Sequence, residues 1–378
     1  MNVYFDNAAS TIVRDEAVGA ALRVMRENYG NPSSVHSMGR EAADELEAAR
    51  KNVAEALGAN PDNVYFTSGG TESGNWAVLG AADAYVRKGG HILTSAIEHD
   101  AIMESAKKLE NLGMDVTYLT PDGSGRIPAE AFASALRENT VLASVMLVNN
   151  ETGAVNPVDE YAKEIKRRGL GALLHTDAVQ GFCKIPFNVN KLGADLVTIS
   201  AHKIHGPMGT GALYVKSGVK LPPVMLGGGH EKGLRSGTEA LPAIAGFGVA
   251  ARLGRLELNE TSASVRRLRE YIILRLQEEL PGVVIIGDGD SPFLLGLSFP
   301  GYKSEVLMNF LDSEGICVSK GSACKKGARS RVLEAMRLKN EVIDGALRVS
   351  FSRYNTPEEG EFFVQTLKRA SQTLLKTL

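Results

Sequence analysis

Between Asn63 and Val215 short apolar, β-branched runs alternate with longer stretches whose apolar residues recur every three to four positions. The runs cover residues 64–67, 91–94, 116–119, 141–148, 172–176, 196–200 and 212–215. Stretches 71–87, 101–112 and 158–168 read as helices, and Gly89, Gly113 and Gly169 follow them as stop signals. This rhythm predicts an α/β domain with a mainly parallel seven-stranded sheet. Beyond Leu241 the pattern turns helical to residue 280. Strand candidates at 283–286, 294–299, 316–319 and 347–351 then alternate with helices at 304–314, 331–336 and 357–378. The expected organisation is a large domain at 15–255 and a smaller α+β domain built from 1–14 and 256–378. Neither repeats nor a long linker interrupt it.

Composition narrows the class of function. At about 150 residues per domain, 378 residues agree with two to three domains. The 42 basic and 44 acidic residues give 42 − 44 = −2, with no basic stripe, so nucleic acid is not the expected partner. The longest apolar runs fall far short of the roughly 18 residues of a membrane span. Residues 1–6 lack the basic start and apolar stretch of a signal peptide. Three cysteines, Cys183, Cys317 and Cys324, are too few and too odd for a disulfide framework. Together these predict a cytoplasmic protein. Glycine is enriched, at 40 residues or about 11% against an average near 7%, and much of it is clustered.

In an open α/β sheet, ligands bind beyond the carboxyl ends of the strands. Five predicted strands are followed there by polar groups: Ser68 to Ser73, Glu98 and His99, Asn149 to Glu151, Asp177 and Gln180, and His202 with Lys203. Taken alone each has an ordinary explanation. Ser68-Gly69-Gly70-Thr71 suits an anion at a helix N-terminus and equally a tight turn with an N-cap Thr. A P-loop is absent, and Gly209-x-Gly211 lacks the rest of a dinucleotide fingerprint. Lys203 follows an apolar strand, where desolvation lowers an amine's pKa and makes it a nucleophile for a carbonyl. Asp177 could cap a helix or hold a proton on a heterocyclic nitrogen. A Schiff-base lysine, a pyridinium partner and an anion cradle are together what pyridoxal 5′-phosphate (PLP) requires.

With that combination the sequence resembles the cysteine desulfurase family of class V, fold-type I PLP-dependent enzymes. The matching motifs run from residue 4 to about 356. They are Tyr4-Phe5-Asp6-Asn7-Ala8-Ala9-Ser10-Thr11, Gly30-Asn31-Pro32-Ser33-Ser34-Val35-His36, Thr67-Ser68-Gly69-Gly70-Thr71-Glu72-Ser73, Glu98-His99 and Asn149-Asn150-Glu151-Thr152-Gly153. They continue as His175-Thr176-Asp177-Ala178-Val179-Gln180, Ser200-Ala201-His202-Lys203-Ile204-His205-Gly206-Pro207, Gly233-Leu234-Arg235-Ser236-Gly237-Thr238 and Gly321-Ser322-Ala323-Cys324. The resemblance implies that Lys203 forms the Schiff base, Asp177 pairs with the pyridine N–H and Gln180 bonds the ring hydroxyl. His99 would stack on the ring and move protons, while Gly70, Thr71, Ser200 and His202 hold the phosphate. Thr238 would reach the phosphate of a partner subunit in a homodimer with shared sites; its alternative is a cap on the helix starting near Leu241. Arg348 would bind the substrate carboxylate with help from Asn31 and Asn150, and Arg353 is the alternative cation.

Cys324 then becomes the discriminating residue. Cys183 and Cys317 have apolar neighbours and are read as inert core thiols. Cys324 lies beside Lys325 and Lys326, whose charge favours its thiolate. The implied reaction converts L-cysteine to L-alanine, leaving sulfur as a persulfide on Cys324 for an acceptor protein in iron–sulfur cluster assembly or tRNA thiolation. A selenocysteine lyase or another class V lyase or aminotransferase would share the cofactor residues, and a non-enzymatic scaffold would share the fold. A metal site at His175, Asp177, His202 and His205 is disfavoured, because no zinc-ligand spacing is present. Met208, the basic and short segment after Cys324, and Phe351-Ser352-Arg353 depart from the family's usual pattern.

Overall fold

The computed structural model describes residues 1–86, 89–320 and 329–376. The seven predicted runs form one sheet: β2 (Val64–Thr67), β3 (His91–Ser95), β4 (Asp115–Leu119), β5 (Thr140–Ser144), β6 (Leu173–Asp177), β7 (Leu196–Ser200) and β8 (Gly211–Val215), preceded in the chain by β1 (Val3–Tyr4). Their spatial order is β2-β8-β7-β6-β5-β3-β4. β3 pairs in parallel with β4 and β5, as do β5 with β6 and β6 with β7, whereas β8 runs antiparallel to both β7 and β2. Six strands therefore point the same way, and all five polar strand ends fall on one rim.

Both faces of this sheet are covered, which is why its central strands read as continuous apolar runs. Successive residues alternate between two cores, as the strand period of two requires. Ile92, Leu142, Leu196 and Leu213 pack with Trp76 and Ile102, from helices Gly70–Ala82 and Asp100–Asn111. Leu93, Ala143, Val197 and Ala212 pack against helices Asp15–Arg26, Ser37–Leu57, Val158–Arg167 and Leu241–Leu256.

A third core forms on β9 (Val284–Ile286), β10 (Leu294–Ser298) and β12 (Ala346–Ser350), an antiparallel sheet covered by helices Leu258–Glu279 and Pro357–Thr373. The N-terminus joins it. β1 pairs in parallel with β11 (Ile316–Cys317), and Phe5 packs edge-to-face on Phe351 and Phe363, with centroids 5.3 and 5.6 Å apart. Asp6 bridges Ser350, whose hydroxyl accepts from the Ala8 N–H at 2.8 Å. The segment is thereby carried across to the rim of the large sheet. Among the described residues no helix is long and apolar enough to cross a membrane.

Several expected boundaries shift. Regular pairing in the 141–148 run ends at Ser144, and the 71–87 helix ends at Ala82 in a 3-10 turn. The long helical stretch breaks at Glu257, which accepts two hydrogen bonds from Arg14. Cys317 requires correction. It is exposed and is no core thiol, because β11 is a two-residue strand whose alternation buries Ile316 and turns Cys317 outward. Burial, followed by nearby Asp312 and Asp6, still pushes its thiol pKa up. Cys183 packs against the large core, and burial raises it to about 12.

One buried ion pair fastens the sheet edge. Arg50 bonds both carboxylate oxygens of Glu231 at 2.8 Å and the Val64 carbonyl at 2.9 Å; Glu231 also accepts the Phe66 N–H. Replacing Arg50 by Met strands that carboxylate and is expected to cost about 3–5 kcal/mol. A urea melt of the purified variant reads the loss; one below about 1 kcal/mol would contradict the coupling.

Candidate active site

The rim residues enclose a cavity of about 300 Å³ whose lining includes Gly70, Thr71, His99, Asn150, Asp177, Gln180, Ser200, His202, Lys203 and Arg348. At one end, helix Gly70–Ala82 starts at Gly69 with no side chain capping it, leaving first-turn N–H groups directed out of the helix. Gly69 has a φ of +153°, and a Cβ on Gly211 would lie 2.8 Å from its Cα, so the turn closes tightly over β8. A Cβ on Gly70 would come within 3.0 Å of Val179. Opposite lie Ser200 and His202; burial pulls His202 down to about 4, leaving a neutral ring. Uncapped amides, a helix dipole and neutral hydrogen-bonding side chains form an anion cradle.

Lys203 closes the turn after β7. Its Nζ donates to the Ala8 and Ala9 carbonyls at 2.8 and 2.6 Å, the groups delivered by the N-terminal segment. Burial and then the nearby Arg348 lower Lys203 to about 8, against the opposing pull of Asp6 and Asp177. An amine so shifted is partly neutral near pH 8 and can attack an aldehyde. Asp177 ends β6 and caps no helix; one carboxylate oxygen accepts the Val179 N–H at 2.9 Å. Burial raises its pKa, while His99 and Lys203 oppose that. Gln180 donates from Nε2 to the Ala8 carbonyl at 2.9 Å. His99 begins helix Asp100–Asn111, and its Nδ1 accepts the Ala101 N–H at 3.2 Å, which fixes the ring.

At the other end Arg348 on β12 is almost fully buried. It donates to the Asn150 carbonyl at 3.2 Å and to Asp6 at 2.8 Å, while its Nε has no partner among the described residues. Arg353 is excluded from this cavity, since it pairs with Glu257 beside a separate small cleft.

Asn31 does not line the cavity; it is exposed and accepts the Ser33 N–H. Thr238 is also exposed and outside, and the helix Leu241–Leu256 starts from Ala240, so Thr238 is not its cap. Cys324 lies outside the described residues. Of the disfavoured metal alternative, both ring nitrogens of His175 are engaged with Ser144 and Thr198, and His205 bonds the Ile12 carbonyl.

Four site neighbours escaped the sequence reading of roles: Asp6, Glu98, Lys184 and Arg331. Asp6 sits in a quoted motif, and Glu98 follows a strand, so both had a signal. Glu98 is pushed up to about 8 by burial; Oε1 accepts from Ser95 and Met146, and Oε2 has no partner among the described residues. Arg331 bonds the Ala96 and Glu98 carbonyls.

A model of the class-V aminotransferase family matches residues 3–363. The chain is 40% identical to the cysteine desulfurase IscS of Dictyoglomus turgidum, over 98% of this chain and 95% of that one. It is 41% identical to cysteine desulfurase IscS 1 of Archaeoglobus fulgidus, over 96% and 95%. Among solved structures, a NifS-like protein superposes with a TM-score of 0.94 at 38% identity, covering 99% of this chain and all of that one. SspA in complex with cysteine gives 0.83 at 33% identity, covering 94% and 100%.

Proposed function

The chain belongs to the class-V aminotransferase family and is a PLP-dependent cysteine desulfurase, and we propose which of its residues carry the reaction. The observation that carries the assignment is the meeting of Lys203, Asp177, an anion cradle and Arg348 in one cavity. The cavity fits the cofactor on its own terms, since it offers uncapped amides for a phosphate, a buried carboxylate for a ring N–H and a shifted amine for an aldehyde. When bound, PLP supplies an electron sink conjugated to the substrate nitrogen.

In this reading Gly70, Thr71, Ser200 and His202 would hold the phosphate, Asp177 would accept the ring N–H and Gln180 would donate to the ring oxygen. Lys203 would anchor the aldehyde. His99, fixed through Nδ1, presents Nε2 to the reacting atoms and moves the substrate's protons. Arg348 receives the L-cysteine carboxylate beside Asn150; its Nε, unpartnered among the described residues, and the Nη2 now bonded to Asp6 supply the donors. Ser319 and Arg331, which flank Cys324 in the sequence, both line the cavity. We propose that the Cys324 thiolate attacks the substrate sulfur. The C–S bond breaks, an S–S bond forms, and L-alanine leaves once its β-carbon takes a proton. The persulfide then passes to an acceptor protein of iron–sulfur assembly or tRNA thiolation.

A homodimer belongs to the same reading. Ile12, Met25, Tyr29, Val35, Met208 and Leu226 are large apolar residues between 59 and 90% exposed in the single chain. Asn31 falls between Tyr29 and Val35 in the chain and, like Thr238, is exposed, so in this reading a second copy receives both at its own site. The division at 15–255 against 1–14 with 256–378 is likewise proposed, supported by a core drawn only from Val3, Phe5 and residues 265–370. Cytoplasmic location fits the need for a reduced thiol.

The test is chemical. Purified protein loaded with PLP and given L-cysteine with a thiol reductant is expected to release alanine and sulfide in equal amounts. Alanine without sulfide, or neither product, would sink the assignment.

A further inference from the structure

Lys184 is a buried amine that the reaction as described leaves unused. It is 5% exposed and sits four residues beyond Gln180. No carboxylate pairs with it among the described residues, and its Nζ donates to Gln180 Oε1 at 2.9 Å. On the other edge of the same amide, Nε2 donates to the Ala8 carbonyl, which also receives Lys203 Nζ. Two independent constraints thus orient this amide. While protonated, Lys184 has only donors to offer, so the oxygen faces it; a carbonyl only accepts, so the nitrogen faces Ala8 and Lys203.

The charged groups around Lys184 make its retention costly. Arg348 lies on the cavity side, Lys203 lines both the cavity and the small cleft, and Arg14, His205, Glu257 and Arg353 line the cleft. Burial first, then Lys203 and Arg348, bring it down to about 7. An apolar side chain of similar volume would avoid that desolvation.

Resting on the PLP reading above, we propose that Lys184 is a positioning residue that locks the Gln180 amide with its N–H edge toward Lys203 and the cofactor's ring oxygen. A donor held there stabilises the oxygen as an anion. It does so most when the neighbouring nitrogen has lost its proton, so it lowers that nitrogen's proton affinity. Without Lys184 the amide keeps only the Ala8 carbonyl, which it shares with Lys203, and the donor edge is held less firmly toward the ring oxygen.

The experiment titrates the visible band of the holoprotein between pH 5 and 10 and measures PLP affinity of the apoprotein. Lys184→Met is expected to raise the band's pH midpoint by about one unit and to weaken PLP binding. Gln180→Leu should shift it in the same direction, and the double variant should match Gln180→Leu alone. Lys184→Gln keeps a donor without the charge and should stay near the wild-type midpoint; it also serves if Lys184→Met does not fold. An unshifted midpoint in folded Lys184→Met, additive shifts in the double variant, or a Lys184→Gln shift as large as that of Gln180→Leu would each overturn the positioning role. A wild-type protein without a visible band would instead overturn the PLP reading itself.

Discussion

Lys203→Ala is expected to lose desulfurase activity by at least about 10³-fold, the scale of removing a covalent or proton-transferring group. It should also purify without the visible band of the wild type. The cradle at Gly70 and Thr71 and the Asp177 carboxylate remain in that variant, so PLP added back is expected to bind weakly and reversibly, without a covalent link. Borohydride treatment separates the two cases, because it fixes cofactor to wild-type protein and should leave the variant unlabelled. A variant that is still labelled would place the anchor on another amine, and Lys184, buried on the same Ala8–Gln180 network, is the one to examine. The shifted pKa adds a pH dependence. Lys203 lies at about 8 instead of the ordinary lysine value near 10.5, so its neutral fraction grows as pH rises through 8. The rate at which apoprotein captures PLP should therefore climb from pH 6 to 9 and then level. A flat profile would show that deprotonation of Lys203 does not limit capture.

The rim of the large sheet could be read from the sequence because its rule is local. An apolar strand that ends in Asp177, Lys203 or Glu98-His99 places a polar group where the chain leaves a buried layer, and the parallel sheet aligns those ends. What the sequence could not show depends on pairings distant along the chain. Asp6 reaches Arg348 only because β1 pairs with β11 and Ser350 bridges Asp6 itself. Lys184 sits in a segment with no strand or helix period to mark it, and its meaning comes from Gln180 and Ala8, groups local sequence does not connect. Cys317 was misread because apolar neighbours suggest burial, while a two-residue strand still turns alternate side chains outward. Arg348 and Arg353 could not be separated by motif alone. Five residues apart, they face opposite sides of β12's exit, one into the cavity and the other to Glu257.

Cys324→Ser is expected to abolish sulfide release almost completely while leaving the cofactor chemistry visible. The variant retains Lys203, Asp177, His99 and Arg348, so L-cysteine should still bind and shift the visible band. What it lacks is a nucleophile for the substrate sulfur. A serine hydroxyl is scarcely ionised at neutral pH and is not a soft nucleophile, whereas a thiol near 8.5 already supplies a few per cent thiolate, and adjacent cations raise that share. The two buried or shifted thiols cannot replace it. Cys183 is held at about 12 by burial, and Cys317 is raised and lies outside the cavity lining. The expected loss is about 10²-fold or more in turnover, with little change in the concentration of L-cysteine that half-shifts the band. Alkylation of wild-type protein should reproduce this pattern, and mass spectrometry after a brief exposure to L-cysteine should find one added sulfur on the peptide holding Cys324. Sulfur on Cys183 or Cys317 instead, or full sulfide release by Cys324→Ser, would move the transfer step to a thiol that this geometry does not favour.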